Sequence, residues 1–199
     1  EIKDGAVLDI NLTDEVLKGV TGVPGLTFLI SPATKDKYPQ IFTAQDTEFD
    51  EFKSSFLIEK GKMDTKNLKI TSKDYSIRGK GWMNLDGKID LKSRLILSQE
   101  FSEDLETDIP DAKYITNSKN RVEIPFTITG ALPKAKAKPD IPYLAKLIQR
   151  AGIRDVIEGL TSDSEEPQEQ NEEAKSEPVP KKKEKRLDKK ILDEIKDLF

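Results

Sequence analysis

The stretch YSIRGKGWMNLDGKIDLKSRLIL, residues 75–97, decides the fold because it predicts a β-hairpin with glycines on its apolar face. Asp86-Gly87 is a turn dipeptide between two runs of alternating apolar residues, a pattern typical of antiparallel strands. A two-residue loop would set apolar residues opposite polar ones, whereas a three-residue loop gives one apolar face. We therefore expect the loop Leu85-Asp86-Gly87, with Gly87 in the left-handed conformation.

This register fixes which residues face one another across the hairpin. The pairs on its apolar face are Ile77–Leu95, Gly79–Ser93, Gly81–Leu91 and Met83–Ile89. The other face carries Arg78 opposite Arg94 and Lys80 opposite Lys92. Like charges in such positions cost some stability and suit only open solvent.

Alternation of apolar and polar residues predicts further strands near residues 6–12, 49–58, 63–71 and 121–130. Their inward-facing residues are Leu8, Ile10, Phe52, Phe56, Ile58, Leu68, Ile70, Val122, Ile124, Phe126 and Ile128. Pro125 lacks an N–H, which indicates an edge strand. Residues 131–140 are expected to leave the sheet as an extended arm.

Helix signals lie between and after these strands. Thr13 is a good N-cap for a short helix with an acidic first turn, and Pro24 can begin a second one. Residues 35–46 read as a polar connection. Further helices are expected near 101–106, 111–117 and 141–160. The sequence therefore predicts an α+β fold that is mainly β: a curved, groove-like antiparallel sheet over residues 1–160, with short helices after its first strand and a C-terminal helix.

The end of the chain changes character. Residues 161–186 are acidic and then basic, ending in KKKEKR, and cannot bury enough apolar surface to fold, so we expect disorder. Residues 187–199 space their apolar residues along one face of a short amphipathic helix. Its charges nearly balance, which favours docking on protein, either this domain or an envelope partner, over docking on lipid. The basic run before it keeps a membrane surface as the alternative.

Composition argues against catalysis. The chain has no His and no Cys, which removes the commonest general base and metal ligand and every thiol nucleophile. Five carboxylates lie in residues 102–111, and a solvated loop is the simpler interpretation of them. We expect a protein that is not an enzyme and needs no cofactor. The net charge of −4 implies no general attraction to nucleic acid.

The apolar face of the sheet is the candidate functional surface. Helices could cover it as an ordinary core, or part of it could stay open as a groove. Gly79 and Gly81 predict a low spot on this face, into which a helix could pack or along which an acyl chain could pass. The residues by themselves favour the helix.

A family resemblance bears on this choice. The segment FLIEKGKMDTKNLKITSKDYSIRGKGWMNLDGKIDLKSRLIL, a helical insert and then IPFTITGALPKAKAKPDIPYL resemble the C-terminal region of AsmA-like proteins. The shared pattern is a glycine turn, a G-x-G strand, a D-G hairpin, a strand ending in Gly and a proline-rich exit. Its positions here are Gly61, Gly79, Gly81, Asp86, Gly87, Gly130, Pro133, Pro139 and Asp140.

The resemblance implies a bacterial periplasmic protein, with an inner-membrane segment upstream of this chain, that takes part in phospholipid transport and outer-membrane assembly. It makes the groove as plausible as the filled core. The inward-facing residues of all the predicted strands are then candidates for the lining of a groove for phospholipid or another acyl lipid. The alternative is a filled β-domain that binds a partner protein through its last helix.

Overall fold

The computed structural model describes residues 1–24, 30–132 and 134–162, with the backbone alone for residues 153–162. Within these ranges the chain forms one open antiparallel sheet with a few short helices, which confirms the predicted α+β, mainly β class. The strands are β1 (Ile2–Val7), β2 (Thr47–Lys53), β3 (Phe56–Glu59), β4 (Lys62–Thr71), β5 (Tyr75–Asn84), β6 (Lys88–Leu97), β7 (Glu123–Ala131) and β8 (Lys136–Pro139). They are ordered β1-β2-β4-β5-β6-β7-β8, and β3 also pairs with β4.

The helices lie after β1, between β6 and β7, and after β8. They are α1 (Leu12–Val20), α2 (Pro32–Lys37), α3 (Pro39–Phe42), α4 (Gln99–Asp108), a 3₁₀ helix (Pro110–Ile115) and α5 (Ile141–Ser162). The helices predicted after residue 98 are therefore present, with bounds that differ by a few residues. Pro110 separates α4 from the 3₁₀ helix by starting the latter.

The β5–β6 hairpin has the predicted register. All six predicted pairs form, four on the apolar face and two between cations on the other. Gly87 has a φ of +80°, and its N–H donates to the carbonyl oxygen of Asn84, as the three-residue loop requires. We call the side of the sheet that carries Ile77 the inner face and the side that carries Arg78 the outer face.

The first strand ends earlier than predicted. β1 stops at Val7, Asp9 takes a left-handed conformation with a φ of +60°, and the Asp9 N–H donates to the carboxylate of Asp46. Leu8 and Ile10 therefore lie outside the sheet, Leu8 exposed and Ile10 buried in the core. The prediction failed because a hydrogen bond to a distant residue, which alternation does not report, turns the chain here.

Asn11, and not Thr13, caps α1. The side-chain oxygen of Asn11 accepts hydrogen bonds from the Asp14 N–H and from the Thr13 hydroxyl. Its side-chain nitrogen donates to the carbonyl oxygens of Ile41 and Ala44. The cap therefore also fixes α1 to the segment before β2. The predicted acidic first turn is confirmed.

Residues 35–46 are not the predicted polar connection, because they contain the second half of α2 and all of α3. Ser31 caps α2 with its side chain. Tyr38 and Ile41 are buried, and the Tyr38 ring lies 4.2 Å from that of Phe101, measured between centroids. These buried side chains anchor the two short helices to the core.

The strand predicted over residues 49–58 is two strands, interrupted at Ser54. β2 and β3 both pair with β4, and β4 has a bulge between Thr65 and Leu68. The Ser54 and Thr65 hydroxyls hydrogen-bond at 2.7 Å beside it. Because two residues of β4 oppose one of β5 at the bulge, Thr65 and Leu68 both keep to the inner face.

β7 is not the edge strand that Pro125 predicted. Residues 136–139 do not leave the sheet as an extended arm but form β8, which pairs with β7. The carbonyl oxygen of Pro125 accepts a hydrogen bond from the Asp140 N–H, just past the end of β8. The nitrogen and the carbonyl of Pro125 both point toward β8. The hydrogen bond that Pro125 cannot donate is therefore missing only at the point where β8 ends and α5 begins.

The sheet is curved, as predicted, and α1 joins its two sides. The Leu12 N–H donates to the Thr47 hydroxyl at the start of β2, and the Glu15 carboxylate accepts from the Ala137 N–H in β8, both at 2.9 Å. Since Leu12 and Glu15 are one helical turn apart, the Thr47 hydroxyl oxygen and the Ala137 nitrogen lie within about 16 Å of each other. In a flat sheet β2 and β8 would be separated by five strand spacings, about 24 Å. The shorter distance requires the sheet to curve.

Several predictions fall outside the described residues. The helix expected after Pro24 would cover residues 25–29. Nearly all of the charged segment 161–186 and the whole amphipathic segment 187–199 lie beyond Ser162. The disorder of the former and the docking of the latter therefore stay predictions.

We expect Glu15→Ala to lower the free energy of unfolding by about 1–3 kcal/mol, because it leaves the N–H of buried Ala137 without an acceptor. Glu15→Gln keeps a side-chain oxygen at the same place and should lose clearly less. Urea denaturation of both variants measures the difference. Equal losses would show that the hydrogen bond is not what joins α1 to β8.

Candidate functional site

One half of the inner face is a filled core. Ile77, Leu95, Ile124 and Phe126 are at most 1% exposed. Apolar side chains of α1, α4, α5 and the 3₁₀ helix belong to the same buried cluster. Helices therefore cover this half of the sheet, as the simpler sequence interpretation expected.

The other half, toward the β3–β4 and β5–β6 turns, is more open. Phe56 and Ile58 are 47% and 64% exposed, and Met63, Met83 and Ile89 are half-buried. Strand pairing sets Ile58 beside Met63, Met63 beside Met83 and Met83 beside Ile89. The five side chains therefore form one continuous surface across four strands, which we call the distal apolar patch.

Hydrogen-bonded turns border this patch. The Leu85 N–H donates to the Gly61 carbonyl at 3.0 Å, and the Leu132 N–H donates to the Gly87 carbonyl at 2.9 Å. These bonds join three successive turns at the same end of the sheet. The side chains of Leu85 and Leu132 are 77% and 45% exposed, so the border of the patch is apolar as well.

The structure leaves no room for a side chain at Gly79 or Gly81, the positions of the predicted low spot. A Cβ on Gly79 would lie 2.6 Å from the Ser93 hydroxyl, which already fills the space. A Cβ on Gly81 would lie 2.1 Å from the carbonyl oxygen of Asp90 and 2.8 Å from the Cα of Leu91. Gly81 also has a φ of +149°, which L residues rarely adopt. Both glycines therefore serve the close approach of β5 and β6.

The structure sorts the predicted groove residues into groups. Those in the filled core are Ile70, Ile77, Leu91, Leu95, Val122, Ile124, Phe126 and Ile128, and those half-buried beside it are Phe52 and Leu68. Phe56, Ile58, Met83 and Ile89 belong to the distal apolar patch. The sequence missed Met63, because the β4 bulge shifts the alternation by one residue between Met63 and Leu68.

Three of the five carboxylates in residues 102–111, those of Glu103, Asp104 and Asp108, accept hydrogen bonds from described residues. Asp104 accepts hydrogen bonds from the Lys37 ammonium and the Tyr38 hydroxyl, both at 2.7 Å. These bonds, first that of Lys37, hold the pKa of Asp104 below its ordinary value. They fasten α2 to α4. In the described ranges no cluster of three or more carboxylates, histidines or cysteines could hold a metal ion.

A separate pocket of about 510 Å³ lies on the outer face, between β6, β7 and the start of α5. Its charges already have partners: Arg94 pairs with Glu123 at 2.8 Å, and Asp140 accepts from the Tyr143 N–H at the first turn of α5. We therefore place the candidate site at the distal apolar patch. No helix in the described part of the chain is long and apolar enough to cross a membrane.

The fold and the patch define a mainly β protein whose antiparallel sheet is filled at one end and apolar but more open at the other. No family model, curated protein or solved structure matches the chain. The resemblance to AsmA-like proteins therefore stays a prediction from the sequence motifs.

We expect Gly81→Ala to lower the free energy of unfolding by about 1–3 kcal/mol, since its Cβ would overlap the Asp90 carbonyl. Gly152→Ala is the control, because nothing lies within 4 Å of a Cβ at that helical position. It should be neutral or raise stability by up to about 1 kcal/mol. Thermal unfolding compares them, and an unchanged Gly81→Ala would argue against the close approach.

Proposed function

We propose that this chain is a non-enzymatic lipid-binding module that holds an acyl chain on its distal apolar patch. The observation that carries the proposal is the exposure of Phe56 and Ile58 next to three half-buried apolar side chains on one face of the sheet. Contiguous exposed apolar surface is a common mark of a binding site in soluble proteins.

The chemistry of the patch suits an acyl chain. Met63 and Met83, the only two methionines of the chain, lie opposite each other in its centre. Methionine side chains are flexible and adapt to irregular apolar ligands. The neighbouring inner-face positions, such as Thr65 and Gly81, carry no charge. Burial of each methylene of a bound chain would contribute about 0.8 kcal/mol.

Basic residues near the patch favour a phospholipid as the ligand. Lys60, Lys88 and Lys134 lie in or beside the three distal turns and are exposed. An acyl chain on the patch would bring its headgroup within reach of these ammonium groups, which can pair with a phosphate.

The sequence motifs extend the proposal to a setting. An AsmA-like protein of the bacterial periplasm would use this surface to bind or conduct phospholipid during outer-membrane biogenesis. The alternative is a filled β-domain that serves as a protein-interaction module through residues 187–199. The filled half of the inner face favours that alternative, and the distal apolar patch favours lipid.

Native mass spectrometry of the purified chain tests the proposal. We expect co-purified phospholipid on the parent chain and a loss of about tenfold or more in the bound fraction for Ile58→Glu, because a carboxylate cannot share an acyl-chain site. Leu57→Glu is the matched control, since Leu57 is 62% exposed, adjacent in sequence and on the outer face.

The control should keep its lipid. A lipid-free parent chain that takes up no added phospholipid would contradict the proposal and support the interaction module. Equal loss in both variants would show that the distal apolar patch is not the lipid site.

A further inference from the structure

The outer face carries two rows of cations that strand pairing sets side by side. The first row crosses β2, β4, β5 and β6, and each member lies opposite the next: Lys53, Lys69, Arg78 and Arg94. The second row crosses β5 to β8, and its cations are Lys80, Lys92 and Lys138. Thr127 of β7 lies between Lys92 and Lys138 and is the one uncharged position of this row. We call these seven residues the cation rows.

Among the described residues, only the two ends of the first row form salt bridges, although Glu51 also lies close enough to attract Lys69. Lys53 pairs with Glu51 at 2.6 Å, and Arg94 pairs with Glu123 at 2.8 Å. The members that form no salt bridge with any described residue are Lys69, Arg78, Lys80, Lys92 and Lys138.

Folding by itself does not favour this arrangement. Like charges directly opposite each other on adjacent strands are destabilising. The rows do not follow from composition either, because the whole chain has a net charge of −4. A local excess of positive charge that costs stability points to an anionic ligand.

We propose that the cation rows bind an anionic lipid surface. The rows form a two-dimensional array on the outer face of the curved sheet, with about 4.8 Å between strands and about 7 Å between rows, and a layer of phosphate headgroups also presents its anions in two dimensions. Trp82 lies on the outer face two residues from Lys80 and is half-buried, between Asp64 and Asp90 on the neighbouring strands and with the Lys62 ammonium 5.1 Å from its ring centroid. Indole rings are enriched at the boundary between lipid and water.

A nucleic acid fits these observations less well. A linear phosphate backbone would follow one row, and the central cations of either row are fewer than the roughly 6–10 phosphate contacts of a typical DNA-binding protein. Binding of an anionic surface would involve the outer face alone and would not depend on the lipid proposed for the inner face.

Vesicle flotation of the full chain tests the inference, with phosphatidylcholine vesicles that either contain or lack phosphatidylglycerol. The test variant is Arg78→Gln with Lys92→Gln. The control is Lys35→Gln with Lys119→Gln, two exposed lysines elsewhere that make no salt bridge with a described residue, so the two variants have the same net charge.

We expect the parent and the control to bind only the vesicles with phosphatidylglycerol, and more weakly at high salt. Each cation near an anionic surface contributes about fivefold to binding, so the test variant should bind about 25-fold more weakly. Its melting temperature should be equal or higher, because the substitutions relieve like-charge pairs.

Equal binding by the two double variants, or equal binding to neutral vesicles, would overturn the inference. Tighter binding to a DNA duplex than to anionic vesicles would also overturn it and assign the rows to nucleic acid. Ile58→Glu, which tests the inner face, should leave vesicle binding unchanged, so failure of one proposal can be told from failure of the other.

Discussion

The register between β5 and β6 is the constraint on which the rest of the structure depends. It requires the two backbones to approach so closely at Gly81 that a Cβ there would lie 2.1 Å from the Asp90 carbonyl. Once this pairing is set, the strands on either side inherit the same division of residues between the two faces. A slip of one residue would exchange an apolar face for a charged one. By fixing the register of β5 against β6, the glycines and the turn at Gly87 also fix the two faces of the whole sheet.

The two faces of the sheet contribute differently to stability. The covered half of the inner face supplies the core, where side chains such as Leu95 and Phe126 pack against the helices. The distal apolar patch and the cation rows add little to that core, and the like-charge pairs oppose folding. Features that cost stability are expected where function requires them, so the two surfaces are candidates for binding and the core is not.

The curvature of the sheet relates the helix-covered core to the open, distal end of the inner face. α1 begins beside β2 at Leu12 and reaches β8 through Glu15, so that one helix joins strands that are far apart along the sheet. The sheet can curve this far because β4 is bulged and β3 is separated from β2 at Ser54, since bulges bend and twist a strand. The distal turns lie beyond this helical cover, where Leu85 is exposed.

The sequence by itself determined the β5–β6 hairpin, its loop, the α+β class and α5, because alternation, the Asp86-Gly87 turn and helical spacing are local signals. It did not place the end of β1 at Val7, which depends on a hydrogen bond to the distant Asp46. It also missed the cap at Asn11, whose side chain is held by the distant carbonyls of Ile41 and Ala44, and the strand β8, which pairs with β7 after a short turn. It also missed Met63, because a bulge changes the phase of alternation. Which half of the inner face stays open was decided only by the tertiary structure, since burial depends on which helices pack against the sheet and where they end.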